Sequence, residues 1–133
     1  MKKYLVGTLL CIISLFFSCE EPNEPKEEYQ KIYTIKVFEL PFFDVIEYDE
    51  IHIIEFDENN KRVCKNRIEK LSLGEEKTFI AKTGVKKLKI YFHSDQSNTF
   101  RFQEELLLTR SSEIELVGKE ITGEEYFEAI LGQ

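Results

Sequence analysis

The chain has 133 residues, 42% hydrophobic and 13% aromatic, with six Gly, three Pro and a formal net charge of −7. That length supports one domain, and nine Phe beyond position 20 supply the bulk of a real core. The first eighteen residues carry Lys2 and Lys3 and no acid, so the remainder is more acidic still, which excludes a nucleic-acid binder; composition equally excludes a membrane-spanning protein and a disulfide-stapled miniprotein.

Met1-Lys2-Lys3 is a positive start, and residues 4–17 form an apolar run broken only by Thr8 and Ser14. As helix that run spans about 21 Å, short of a hydrocarbon core of about 30 Å. Residues 1–18 therefore read as a secretory signal peptide that stands outside the fold. The run ends in Leu15-Phe16-Phe17-Ser18-Cys19, with a small residue directly before a cysteine. This resembles the lipobox of bacterial lipoproteins. The resemblance implies that the Cys19 thiol receives a diacylglycerol, that the preceding peptide is removed, and that the new amino terminus is acylated. At about 0.8 kcal/mol per buried CH₂, two or three such chains hold a protein essentially permanently.

Residues 20–28 hold five Glu and two Pro in nine positions and cannot bury anything, so 19–28 is a solvated tether. Extended at about 3.1 Å per residue, it reaches roughly 30 Å. Acidic residues directly after the lipidated cysteine are similar to the surface-export signal of Bacteroidota lipoproteins. The resemblance implies an outer-membrane anchor with the domain at the cell surface; a plain acidic tether leaves it facing the periplasm. Loss of Cys11 and modification of Cys19 leave Cys64 no intramolecular disulfide, so packing must hold the domain together.

Residues 29–133 show period-2 patterning. Tyr33, Ile35 and Val37 share one face, as do Leu88, Ile90 and Phe92 with Lys87 and Lys89 opposite, and Thr99-Phe100-Arg101-Phe102 and Ser112-Glu113-Ile114-Glu115-Leu116 alternate likewise. Turn signals fall at 57–60, 73–75, 82–84, 94–98 and 110–112, and no Pro follows Pro41. The spacing predicts an all-β domain: a single antiparallel β-sandwich of seven or eight strands. This pattern is similar to the immunoglobulin-like or transthyretin-like sandwiches of small Bacteroidota lipoproteins, which implies an accessory role in surface complexes handling glycans or adhesion.

Asn59-Asn60 predicts a two-residue type I′ hairpin turn, both residues at positive φ. Centred there, the hairpin pairs Glu58 with Lys61, Asp57 with Arg62 and Phe56 with Val63, and puts His52 and Cys64 on opposite faces. It also makes partners of two charge runs, since 44–58 hold seven acids and 61–70 five bases. Cys64, Ile68 and Leu71 equally fit a helical period, so 63–71 stays open between strand and helix. Thr122-Gly123-Glu124-Glu125 has capping-box spacing before Tyr126, Phe127, Ile130 and Leu131, predicting a short C-terminal helix over one end of the sandwich, with a last strand the competing reading.

The chemistry-bearing residues are few. His52, His93 and Cys64 do not assemble into a metal site under that register, Asp57-Glu58-Asn59 lacks the Gly and distal Glu of a calcium loop, and no nucleophile or phosphate-loop motif occurs. No cofactor, metal ion or catalytic residue is expected, and the chain reads as a non-enzyme. Pro41-Phe42-Phe43-Asp44-Val45-Ile46-Glu47-Tyr48 is the remaining oddity. Its aromatic faces beside carboxylates can stack on a sugar or a partner protein, so Phe42, Phe43 and Tyr48 are the candidate contacts, at least one of them exposed at the end far from the tether. The plainer reading is a bulged strand with one ring in the core. The expected function is a lipid-anchored, non-catalytic binding or accessory module for an envelope protein or glycan, the alternative a structural or adhesive subunit that exchanges edge strands.

Overall fold

The structure, a computed structural model, describes residues 30–37 and 47–132. In chain order they form β1 (Ile32–Val37), β2 (Glu47–Tyr48), β3 (Glu50–Asp57), β4 (Arg62–Ile68), β5 (Leu71–Ser72), β6 (Glu76–Ile80), β7 (Val85–Ser94), β8 (Thr99–Leu106), β9 (Ser111–Leu116), β10 (Lys119–Ile121) and the helix α1 (Gly123–Leu131). Five strands make one sheet in the order β10-β8-β7-β3-β4, three make another in the order β6-β1-β9, and β2 pairs with β5. Eight strands have three residues or more and two have only two, so the all-β sandwich expected from the patterning is present. The segment 63–71, open between strand and helix, is strand through Ile68 in β4, and Leu71 opens β5.

Alternation drives the two sheets together. Tyr33, Ile35 and Val37 of β1 and Ile114 and Leu116 of β9 meet Ile51 and Ile53 of β3 and Leu88, Ile90 and Phe92 of β7 in one buried cluster. Every pairing in the large sheet is antiparallel; in the small sheet β6 pairs β1 antiparallel, and β9 runs parallel to β1. The cause is a crossover. After β8 the chain leaves the large sheet and enters the small one at the end where β1 begins, where the Ile32 amide donates to the Arg110 carbonyl at 2.8 Å. It crosses back at Val117-Gly118, where the Gln103 carboxamide oxygen accepts both backbone amides at 2.8 Å and the Arg101 guanidinium donates to both carbonyls at 3.2 Å.

Among the described residues the most deeply buried charged group is Glu55. Glu55 on the inner face of β3 is 1% exposed, and its carboxylate accepts from the Tyr33 hydroxyl at 2.7 Å, the Asn66 amide at 3.0 Å and the Lys82 backbone at 3.0 Å. Burial first, then the neighbouring Glu55 charge, pushes the Tyr33 phenol far above its ordinary value.

The hairpin differs from the expected one at its tip only. Asn60 alone of the two asparagines has positive φ, at 62°. The Asp57 carboxylate accepts from the Asn59 and Lys61 amides at 2.9 Å, the Asn60 amide donates to the Asp57 carbonyl at 3.0 Å, and the loop takes three residues. Phe56 therefore faces Arg62, not Val63, and neither Glu58–Lys61 nor Asp57–Arg62 forms a cross-strand pair. A bulge beside Glu55 restores the register, so Glu55 faces Cys64 and His52 faces Arg67, as the centring on Asn59-Asn60 requires. His52 and Cys64 consequently lie on opposite faces.

Helix α1 forms as the capping box demands: Thr122 Oγ1 accepts from the Glu125 amide at 3.0 Å, and Glu125 Oε1 accepts from the Thr122 amide at 2.9 Å. It lies across the outer face of the large sheet and not over one end of the sandwich, because Tyr126 and Ile130 need an apolar floor. That floor comes from β3 and β8. Residues 51–55 of β3 are all buried, a run expected of a central strand covered on both faces. On β8, Arg101 and Gln103 face inward to clasp the crossover while Phe100 and Phe102 face outward, Phe100 4.8 Å from the Tyr126 ring.

Candidate functional site

The outer face of the large sheet is where polar and aromatic groups converge. Tyr126 projects from α1 onto His52, His93 and Phe100, with ring centroids 6.1, 6.1 and 4.8 Å away. Its hydroxyl donates to Glu50 Oε1 at 3.4 Å, while Glu50 Oε2 accepts from Arg67 at 2.6 Å. Burial works to raise the Glu50 carboxyl, but the Arg67 guanidinium and the His52 imidazole outweigh it, and the carboxyl sits below its ordinary value. His52 is 5% exposed, and neither ring nitrogen has a hydrogen-bond partner among the described residues. Its Nε2 lies 3.4 Å from Glu50 Oε1, within ion-pair range but without hydrogen-bond geometry. Burial dominates and holds the His52 imidazole below its ordinary value against the pull of Glu50, so the ring is a neutral core group under the helix.

Beside that cluster, towards the hairpin, the same face opens into a cleft of about 320 Å³ lined by Ile54, Phe56, Asn60, Arg62, Lys89, Tyr91 and Ala129. The register explains how the lining assembles. Phe56 faces Arg62 on one side and Lys87 on the other, and Ile54 faces Lys65 and Lys89, so β3 supplies an apolar floor and β4 and β7 supply cationic walls. The αL turn at Asn60 brings the hairpin tip over one end, and α1 closes the other with Ala129. Lys89 Nζ leans over the Phe56 ring, 5.1 Å from its centroid. Glu104, opposite Lys89 in register, pairs instead with Lys87 at 3.7 Å. Among the described residues, neither Arg62 nor Lys89 forms an ion pair. Just beyond the lining, Lys65 donates to the Ile130 carbonyl at 3.2 Å, and burial, with Arg62 and Arg67 nearby, holds its ammonium below the ordinary value. The cleft is thus electropositive in an acidic chain.

Of the residues singled out in the sequence, Tyr48 is 2% exposed and packs edge-on against Phe92 at 4.8 Å. It is a core residue and not an exposed contact, because the β2–β5 pair turns it inward. Phe42, Phe43 and Cys19 lie outside the described residues. Cys64 is buried and, in the full-length chain, disulfide-bonded. The other two cysteines, Cys11 and Cys19, lie outside the described residues.

The cleft itself escaped the sequence reading. The signal was present in the alternation of Lys87 and Lys89 with the core residues of β7 and of Arg62 and Lys65 along β4. The hairpin pairing instead assigns the basic run of 61–70 to the acidic run as its partner. Among the described residues, only Arg67 and Lys70 of that run find partners in the acidic run, at Glu50 (2.6 Å) and Glu47 (3.2 Å). Among the described residues no three of His, Cys, Asp and Glu gather as metal ligands, and no helix is long and apolar enough to cross a membrane. Comparison with protein-family models, curated proteins and solved structures finds no match for this chain.

Proposed function

We propose that this chain is a lipid-anchored envelope protein that serves as a non-catalytic binding or accessory module for an envelope protein or glycan. The observation that carries the binding role is the cleft of Ile54, Phe56, Arg62, Lys89 and Tyr91, whose cations are held by the fold with no carboxylate spent on them among the described residues. Apolar floors with a few convergent polar groups are what small-ligand sites are made of. The anchor rests on Ser18-Cys19 behind the short apolar run, and the cell-surface side of the outer membrane on the acidic tether. Against strand exchange stands the charge on the sheet edges: β6 carries Glu76 and Lys77, and β4 carries Arg62, Lys65 and Arg67.

The placement has a direct test. Processing at Cys19 removes Cys11 and occupies the Cys19 thiol, so lipidation and the Cys64 disulfide exclude one another within a single processed chain. Mass spectrometry of the membrane-extracted protein is expected to find a diacylglyceryl Cys19 at the amino terminus, and Cys19→Ala to release the protein or leave a precursor. An intact chain joined through Cys64 to Cys11 or Cys19 overturns the anchor. Binding is tested by photocrosslinking from position 91 in intact cells, which is expected to capture an envelope protein or glycan; no adduct there or from position 62 overturns the role.

A further inference from the structure

We infer that the cleft between β4, β3 and β7 recognises a carboxylate borne on a six-membered ring. This deepens the proposed binding role and rests on it. Arg62 and Lys89 stand on opposite walls, one strand away on either side of β3 and offset by two residues along it, which places their backbones about 12 Å from each other. Their side chains both line the space above Phe56, and the 5.1 Å cation–π contact steadies the Lys89 ammonium there while leaving its N–H donors to a ligand. A guanidinium presents a planar fork that matches a carboxylate, and an ammonium beside it adds a second donor. The anion has company of a different kind. Ile54, Phe56, Tyr91 and Ala129 supply apolar and aromatic surface, and Asn60 adds an amide at the hairpin end. A bare anion uses none of that surface, and a neutral ring leaves two cations with nothing to compensate their desolvation. The cleft of about 320 Å³ holds one ring and its substituents, not a long polymer.

The ring belongs to a sugar acid or to an aromatic acid, and the experiment separates them. The full chain in detergent is titrated with glucuronate, benzoate, glucose and inorganic phosphate while the amides of Asn60, Arg62, Lys89 and Tyr91 are followed by NMR. Glucuronate or benzoate is expected to shift those four amides saturably, and whichever binds more tightly names the source. Glucose and phosphate are expected to bind at least tenfold more weakly. Arg62→Gln and Lys89→Gln should each weaken the acid at least tenfold, while Lys36→Gln, on the other sheet, should leave it unchanged. Glucose binding as well as glucuronate, phosphate binding as well as either acid, or neither acid shifting the four amides overturns the inference; the wild-type titration alone decides this if a variant does not fold. An acid that leaves the cleft untouched while intact-cell crosslinking from position 62 still captures a partner sinks the inference and spares the binding role. An acid that binds the cleft and is recovered as a different compound spares the inference and ends the non-catalytic reading.

Discussion

Two single residues carry more of this fold than their neighbours. Glu55 is a buried carboxylate holding three donors, and its removal can be weighed physically. A leucine there avoids the cost of desolvating a charge, which by itself favours the variant, but it orphans the Lys82 amide that Glu55 accepts at 3.0 Å. The Asn66 amide still donates to the Tyr33 oxygen at 2.8 Å, but the buried Tyr33 O–H loses its acceptor. The loss is therefore set by two buried unsatisfied donors, the Lys82 amide and the Tyr33 hydroxyl, about 1–3 kcal/mol each, and Tyr33→Phe, which orphans neither, should cost less, about 1 kcal/mol. Urea denaturation of the two variants should give that order; the reverse order would mean that Tyr33, not Glu55, organises the cluster. Gly118 is the second. Its φ of 56° and a Cβ that would stand 2.6 Å from Phe92 Cζ both forbid a side chain, and Phe92 is pinned edge-on by Tyr48. Gly118→Ala should cost about 2 kcal/mol or more, from left-handed strain plus overpacking, seen as a lower denaturation midpoint.

At the scale of elements, α1 is the piece whose attachment can be titrated. His52 is buried neutral beneath it, and Glu50, Lys65, Arg67 and Tyr126 are the titratable groups that face it. A base whose folded pKa lies below its unfolded value of 6.5 contributes stability that is complete above that pH and declines as pH falls towards the folded value. The slope from this group reaches at most about 1.4 kcal/mol per pH unit. His52→Leu should flatten the stability profile below pH 6.5 and leave it unchanged above. An identical profile in both proteins would show that the ring protonates without cost. Thr122→Ala, which opens the capping box, should cost about 1 kcal/mol at every pH in the same measurement. Local signals made this helix legible: Thr122 and Glu125 three apart, then Tyr126 and Ile130. Its position was not legible, because Phe100 and Phe102 alternate as well for an inward face as for an outward one, and only the Gln103 and Arg101 clasp on the crossover decides between them. The hairpin divides the same way. Alternation specifies register along the body of β3 and β4, where a one-residue slip turns every side chain over, but the Asp57 carboxylate chooses the loop length and a bulge absorbs the difference. The cleft draws on four elements separated by up to 75 residues, Ile54 to Ala129, and no local window holds it.

Across the whole molecule, the direction of the strands orders everything relative to the point where the chain enters the fold. Strand β1 starts at Ile32 beside Arg110, and Lys31 donates to the Val85 carbonyl at 3.1 Å, so the start of β7 lies at the same end. The 58–60 hairpin tip and the loop 107–110 share that end, while the turn at 95–98 lies at the other, ten strand residues away along β7. Ten residues of strand span about 33 Å. The entry end also exposes Ile80, Leu106 and Leu108, the last at 69%. In the proposed anchored form, ten residues, eleven steps of chain, separate Cys19 from Gln30. Even fully extended, the eleven steps reach only about 36–40 Å, comparable to the depth of the domain itself. The bilayer therefore meets the entry end more often than the far end, and the exposed leucines strengthen that bias by the area they remove from water. The cleft, opening near the hairpin tip, faces sideways in the half of the domain nearer the lipid, which suits a small ligand arriving along the surface better than a bulky one arriving from above. Fluorophores placed at Asn59 and at Ser97 of the lipidated protein in vesicles should report this. A quencher on the lipid headgroups should quench the Asn59 label several-fold more than the Ser97 label, and Leu108→Glu should narrow the gap. Equal quenching at the two positions would mean that the domain tumbles freely on its tether and that its entry end carries no preference for the membrane.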